Sequence, residues 1–547
     1  MPSDKQTTDA QTPQQYAAQL VTDACARALN MSPAAEVTRA DPQFGDFASN
    51  VAMQLKDQLS QPPREIAGEV AAQLTQSDDI HVAEAAGPGF INITFTDQYW
   101  LSVTEQLPVF TRPQPKTKDK VQVEFISANP TGPLTLGNAR GGFVGDVLSN
   151  VLETRGHHVI REYYFNDAGT QIDTLIRSVQ HYAGEVEEEP QYRGEYVKEL
   201  AEHYGQWQAG QEPGERVDWG SLLTSHVFEK YISPALDKMG IPSGGNQHNG
   251  GGQTLAYTNE SQLEEEYDLA ITEFGQELIY QQDGATWLRL SMLEADERDR
   301  VLMKSNGDRT YLANDIAYHY DIFRNRGFDR AIKIWGADHA GQVPSLRLVA
   351  NHLFPQKQLE FVIIQWVRLI KEGEEVKLSK RAGTYVTVEE LIDRVGADVA
   401  RWFMLTRSND THMDFDLDLA EEESRKNPYW YVMYAYVRAR AIQRQAAERG
   451  IVAAGELTAL NPGERAIVQK LSRLPELLHQ IEHSYEVHHL TFYGHELAKL
   501  FHDWYETVPV LDSPAEEAAQ KLLFLQRFTA VMEFYFAILG IQPQEQM

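Results

Sequence analysis

Within residues 376–384, Val-Lys-Leu-Ser-Lys-Arg-Ala-Gly-Thr, the cations Lys377, Lys380 and Arg381 fall close together on what reads as a short loop. Such a cluster could hold a polyphosphate and stabilise the charge that develops as phosphates are transferred or released. It reads equally well as a solvated basic loop, because short basic runs are common on surfaces. A second candidate is Val121 to Arg140, VQVEFISANPTGPLTLGNAR. There a turn leads into a helix start, where unpaired backbone N–H groups and the positive end of the helix dipole attract an anion and Gly137 permits close approach. A strand, turn and helix is also a frequent unit with no ligand.

Both candidates need rigid flanks, and the pattern supplies them. The apolar run Phe361 to Val367 predicts a buried strand ahead of the basic loop, and Thr387 with Glu390 forms a capping box that predicts a helix behind it. Val121, Val123 and Phe125 alternate with polar residues as in a half-buried strand, which Asn129-Pro130-Thr131-Gly132-Pro133 ends. Beyond Gly137, Phe143, Val144, Val147, Leu148, Val151 and Leu152 recur at helical spacing.

Together the two segments resemble the paired signatures of class I aminoacyl-tRNA synthetases. Further stretches narrow the resemblance to the arginyl-tRNA synthetases: FGDFASNVA at 44–52, PPREIA at 62–67, GPGFINI at 87–93 and VEFISANPTGPL at 123–134. REYYFNDAGTQI at 161–172, TYLANDIAYH at 310–319, IWGADHAG at 334–341 and KLSKRAGT at 377–384 continue the series. The resemblance runs through nearly the whole chain and is weakest in roughly 185–300.

It implies a multidomain α/β protein. Residues 1–112 would form an α+β tRNA-binding domain. Residues 113–406 would form a catalytic domain on a doubly wound, Rossmann-like parallel sheet, interrupted by an insertion at about 185–300 that carries acidic Glu185 to Glu189 and a mobile glycine-rich loop at 243–252. Residues 407–547 would form an all-α anticodon-binding bundle. Its aromatic run Tyr429, Trp430, Tyr431, Tyr434 and Tyr436 reads mostly as core, with some rings left to stack on unpaired bases.

The implied reaction is ATP-dependent ligation of L-arginine to tRNA(Arg) through arginyl-adenylate. By the same resemblance Lys377 and Lys380 contact the phosphates, with Gly137, Gly336 and His339 on the ATP side. Glu124, Tyr311 and Asp315 hold the guanidinium, Asn129 holds the α-amino group, and His339 lies beside substrate or nucleotide. A guanidinium, planar and permanently charged, is best matched by carboxylates in a dry pocket. Without the resemblance, Tyr311 and Asp315 read as a surface helix pair and His339 as a neutral structural histidine. The family usually shows two histidines around the glycine of the phosphate-facing helix, whereas this chain has Thr135-Leu136-Gly137-Asn138. Thr135 and Asn138 can donate hydrogen bonds there but cannot become cationic. The alternative is a repurposed, non-catalytic tRNA-binding paralogue. A synthetase for another amino acid is disfavoured, since a neutral side chain gives Glu124 and Asp315 no reason to converge.

Across 547 residues, 49 basic against 79 acidic side chains give a net charge of −30, which argues against non-specific binding to DNA or anionic membranes while leaving room for local positive patches. Cys25 is the only cysteine, so a disulfide within the chain and a multi-cysteine zinc site are excluded, and Mg²⁺ is expected with ATP. The polar N-terminus lacks a signal-peptide core, and no apolar run reads as membrane-spanning. These features predict a cytoplasmic protein; a monomer is expected, though not from these features.

Overall fold

The structure, a computed structural model, describes residues 11–210, 217–244, 254–295, 297–376 and 386–546. Lys377, Lys380 and Arg381, and residues 245–252 of the glycine-rich stretch, lie outside the described residues.

Five parallel strands form the central sheet, in the order Gln358–Ile364, Arg330–Gly336, Lys120–Glu124, His158–Phe165, Ala256–Asn259. From Lys120–Glu124 the chain steps outward twice on one side, then returns to the other side for its last two strands, which is the doubly wound arrangement. The direction reverses between Lys120–Glu124 and Arg330–Gly336, and the crevice past the carboxyl ends of those strands is where such sheets bind ligands. Ala256–Asn259 falls inside the stretch 185–300, so the expected insertion is divided by an edge strand of the main sheet.

The alternation in Lys120–Glu124 does not mark core against water. Val121 and Val123 are buried, and so are Gln122 and Glu124, because the strand is central and covered on both faces. The apolar side chains pack with the helix Leu136–Thr154, where a Cβ at Gly145 would collide with Phe125, so glycine lets helix and sheet close up. The polar ones face the helix Tyr311–Tyr320, and Gln122 Nε2 donates to the Tyr318 hydroxyl at 2.7 Å. One layer is therefore oil and the other a buried polar network.

The run Phe361 to Val367 is not one strand. Gln358–Ile364 ends in the main sheet, and Val367–Lys371 opens a small sheet, parallel to Met413–Asp416 and antiparallel to Glu374–Glu375. At the break the Gln365 N–H donates to the Asn409 carbonyl at 3.0 Å, and the Gln365 carbonyl accepts from Arg140 Nη1 at 2.9 Å. These bonds turn the backbone out of the sheet. The Thr387–Glu390 capping box does open a helix, Val388–Val395.

An antiparallel four-stranded sheet and four helices form the N-terminal domain. The C-terminal region is a bundle containing Pro428–Glu448, Pro462–Leu471, Leu474–Ser484, His489–Thr507 and Ala515–Leu539. Contrary to the sequence reading, Ala515–Leu539 is long and apolar enough to cross a membrane by length and composition; 67% of its apolar window is buried inside the bundle, as in a core helix. Tyr429 and Tyr436 are buried, whereas Trp430, Tyr431 and Tyr434 are half-buried. Arg438 lies 4.6 Å from the Tyr434 ring centroid and 4.4 Å from that of Tyr505.

Candidate active site

Strand register builds one wall of the site. Lys333 pairs across the sheet with Glu124, and Glu124 with Glu162, so a cation and two carboxylates stand side by side on the polar face. Lys333 Nζ donates to Glu124 Oε2 at 2.6 Å and sits 3.9 Å from the Tyr318 ring centroid. Burial lowers the Lys333 ammonium from its ordinary value, and the Glu124 charge opposes that shift. Glu162 takes a two-pronged pair from Arg326 at 2.7 and 2.9 Å, with Thr258 and Tyr318 hydroxyls at 2.6 and 3.0 Å. Burial alone would raise the Glu162 carboxyl, but the Arg326 pair outweighs it and holds it low.

Helix Tyr311–Tyr320 supplies the opposite wall, started by the Thr310 hydroxyl, which accepts from the Ala313 N–H. It carries half-buried Asp315, whose carboxyl makes no hydrogen bond among the described residues. Burial, and next the Glu124 charge, push Asp315 up to about 8 against the pull of Lys333. Tyr311, one turn earlier, is 55% exposed at the first helical position. Beside them Glu260 accepts from the Tyr164 hydroxyl at 3.1 Å and from Asn314 Nδ2 at 2.8 Å, and burial pushes its carboxyl up to about 7. The rings of Tyr164 and Tyr318 stack at 4.4 Å. Lys333 and Glu260 belong to this wall though no quoted motif contains them, and Tyr164 joins it from REYYFNDAGTQI without a role having been assigned; the one local signal for Lys333 was a lysine amid the apolar strand Ala331-Ile332-Lys333-Ile334-Trp335.

The turn that the sequence reading assigns to phosphate follows Lys120–Glu124. Ile126 and Ser127 take φ of 69° and 35°, a left-handed kink held by the Tyr164 N–H donating to Ser127 Oγ at 3.0 Å and the Tyr163 hydroxyl donating to the Ala128 carbonyl at 2.5 Å. Asn129 is oriented by its Nδ2 donating to Gln171 Oε1 at 2.7 Å. Thr135 caps Leu136–Thr154, but its hydroxyl proton goes to Asn138 Oδ1 at 2.8 Å, and the same oxygen accepts from the Thr135 N–H at 2.9 Å. Threonine thus orients asparagine, leaving the Asn138 amide nitrogen without a partner among the described residues. Thr135 also bridges to Thr387, and the Val388 N–H donates to the Leu134 carbonyl at 3.1 Å, so the chain returns beside this turn just after the basic segment. Buried Arg140, on the same helix, donates to the carbonyls of Gln365, Thr411 and Ser408 at 2.9, 2.9 and 2.8 Å. Gly336 closes its strand across the crevice, and exposed His339 follows on a short 3₁₀ turn, its ring 5.6 Å from that of Trp335.

Among the described residues, the group of side chains that could close on a metal ion is His479, Glu482 and His483, in the helical bundle away from this crevice. Glu482 is already committed: Lys118, Arg155 and His157 reach it at 2.7, 2.8 and 2.8 Å. Burial would raise that carboxyl, but these three donors hold it well below the usual carboxylate range, and a metal ion would have to displace them.

Residues 15–95 match the family Arginyl tRNA synthetase N terminal domain, 103–209 the family tRNA synthetases class I (R), catalytic domain, and 432–547 the family DALR anticodon binding domain. The arginine–tRNA ligase of Bacillus subtilis is 38% identical over 530 residues, covering 93% of this chain and 94% of the relative, and that of Nitratidesulfovibrio vulgaris is 36% identical over 529 residues with 93% and 94% covered. A Campylobacter jejuni structure assigned as an arginyl tRNA synthetase superposes with a TM-score of 0.71 at 29% identity, over 83% of this chain and all (100%) of that one. The Thermus thermophilus arginyl-tRNA synthetase shares the fold at a TM-score of 0.74 and 18% identity, covering 98% of this chain and 100% of its own. Likeness at more than a third identity, end to end, is not a matter of shared fold alone, and the chain belongs to the arginyl-tRNA synthetase family.

Proposed function

We infer that the chain ligates L-arginine to tRNA(Arg) at the expense of ATP. In the first step an oxygen of the arginine carboxylate attacks the α-phosphorus of ATP, and the bond to pyrophosphate breaks. In the second a hydroxyl of the terminal tRNA ribose attacks the activated carbonyl, the bond from that carbonyl carbon to the AMP phosphate oxygen breaks, and AMP and the hydroxyl proton leave. Neither step calls for a covalent enzyme intermediate, so the protein contributes positioning and charge stabilisation.

The observation that carries this reading is the meeting of Glu124 and Asp315 at the crevice past the carboxyl ends of the sheet, one carboxyl unpaired within the described structure and raised by its surroundings. A guanidinium supplies the charge that this wall lacks. On this reading Glu124, Tyr311 and Asp315 serve the guanidinium and Asn129 the α-amino group. Gly137 and Gly336 admit the nucleotide, and His339 stands beside it. Lys377 and Lys380 are assigned to the phosphates from their motif, and Asn138, oriented by Thr135, replaces the family's imidazole donors. Loss of one well-placed donor of this kind costs roughly 10²–10³ in rate. Mg²⁺ would come with ATP, held by phosphate oxygens and water. The enzyme would work in the cytoplasm as a monomer, with tRNA as its nucleic-acid partner rather than DNA.

The test is aminoacylation of total tRNA with each amino acid in turn. Charging with arginine alone is the expected result. Tight tRNA binding without charging by any amino acid would instead support the repurposed scaffold that the altered Thr135–Asn138 signature leaves open.

A further inference from the structure

The sequence gives Glu124 and Asp315 equal standing toward a guanidinium, and the structure does not treat them alike. Glu124 already has a full counter-charge: Lys333 Nζ lies 2.6 Å from its Oε2, both residues are buried, and their strands are in direct register. The Lys333 ammonium also rests 3.9 Å from the Tyr318 ring centroid, and the Tyr318 hydroxyl donates to Glu162, itself neutralised by Arg326. The polar wall behind the site therefore holds two charge-paired groups, Lys333 with Glu124 and Arg326 shared between Glu162 and Asp321. Asp315 stands outside both of them.

We propose that Lys333 is a specificity-determining residue of the arginine site: it neutralises and aims Glu124, so that of the two carboxyls assigned to the guanidinium only Asp315 is offered without a counter-charge. Glu124 then contributes a fixed hydrogen-bond acceptor through the oxygen Lys333 leaves free, not the balancing charge. The arrangement selects by charge count. A cationic substrate side chain gives Asp315 its counter-charge, and a neutral one leaves Asp315 unmatched. The inference rests on the reading of this crevice as the arginine site.

A double-mutant cycle separates this division of labour from a simple pair of carboxylate ligands. Removing one partner of a buried ion pair strands the other charge. In Glu124→Gln the stranded charge is the Lys333 ammonium, which repels the incoming guanidinium, so the arginine KM in tRNA aminoacylation should rise by about 100-fold or more while the ATP KM moves little. Adding Lys333→Met removes the repelling charge and restores the wild-type count, with Asp315 facing the substrate alone. The double variant should bind arginine within about tenfold of wild type, a rescue of arginine KM and not only of thermal stability. The same cycle with Lys333→Gln guards against a packing failure of methionine. If the double variants are no better than Glu124→Gln, Glu124 is itself the balancing charge and the proposal is overturned. If neither Glu124→Gln nor Asp315→Asn changes the arginine KM, the crevice is not the arginine site and the underlying reading falls with it.

Discussion

At the scale of the residue, Asp315 is held in a state that is costly without substrate. Its carboxyl, ordinarily near 3.8, is pushed up to about 8 by burial and by Glu124. A raised acid stabilises the fold fully below its unfolded value, and that contribution is lost as pH climbs through the folded one. The empty enzyme should therefore lose stability from this group between about pH 3.8 and 8, each unit of displacement costing ~1.4 kcal/mol. Asp315→Asn removes the loss, and should melt higher than wild type at pH 8 without arginine, a difference that disappears toward pH 4. The same variant should raise the arginine KM by about 10–100-fold, the loss of one charge-assisted hydrogen bond. An unchanged KM, or a melting difference independent of pH, would remove Asp315 from the site. Asp315 and Tyr311 were legible because they share a motif on one helix. Lys333 was not, because its partner Glu124 is 209 residues away and only the register of two strands brings them together. Glu260 was hidden likewise, because its donors Tyr164 and Asn314 lie 96 and 54 residues away.

At the scale of the element, the helix Leu136–Thr154 does more than follow the turn proposed to face phosphate. Its Arg140 fastens three carbonyls, of Gln365, Ser408 and Thr411, where the main sheet gives way to the small sheet of Val367–Lys371 and Met413–Asp416. Arg140→Met leaves the Gln365 and Thr411 carbonyls without their donor at ~1–3 kcal/mol each, while the Ser408 carbonyl keeps the Thr411 N–H, so urea unfolding should show a loss of about 2 kcal/mol or more. Adenylate formation should slow while the arginine KM stays near wild type, because the Glu124 and Asp315 wall is built from other elements. An arginine KM that rises in step with the lost rate would contradict this separation. Local pattern gave the strand, turn, capped helix and the Thr387–Glu390 cap. It misplaced the strand Phe361 to Val367, since an apolar run carries no mark of the Arg140 and Asn409 contacts that break it. It also read the central strand as half-buried, because alternation looks the same whether the polar side meets water or, as here, a buried network.

At the scale of the whole molecule, one buried apolar cluster runs through all three domains, and charge pairs cross their junctions. Glu482 of the bundle gathers Lys118, Arg155 and His157 from the linker and the catalytic domain. Its depressed carboxyl contributes stability above the ordinary value of 4.5, and that contribution is lost as pH falls below it. Glu482→Gln should cost ~3–5 kcal/mol at neutral pH, as for breaking a buried pair, and should flatten the acid limb of the stability profile. Equal acid sensitivity in the variant and the wild type would show that the junction lies elsewhere. The N-terminal domain is fastened in the same currency. Arg39 pairs with Glu476 at 3.3 Å, Arg527 with Glu105 at 2.9 Å, and Arg465 reaches both Asp46 and Asp97. The mostly exposed, proline-containing stretch 111–118 joins the first domain to the catalytic one and is tied to the latter by the Gln114 and Lys118 N–H groups, which donate to the Thr154 and Gly156 carbonyls at 2.8 and 3.1 Å. The peptide bonds of that stretch are thus the least of what keeps the first domain against the last. A gene cut in two at the linker would still have everything it needs to encode one particle, assembled from two chains.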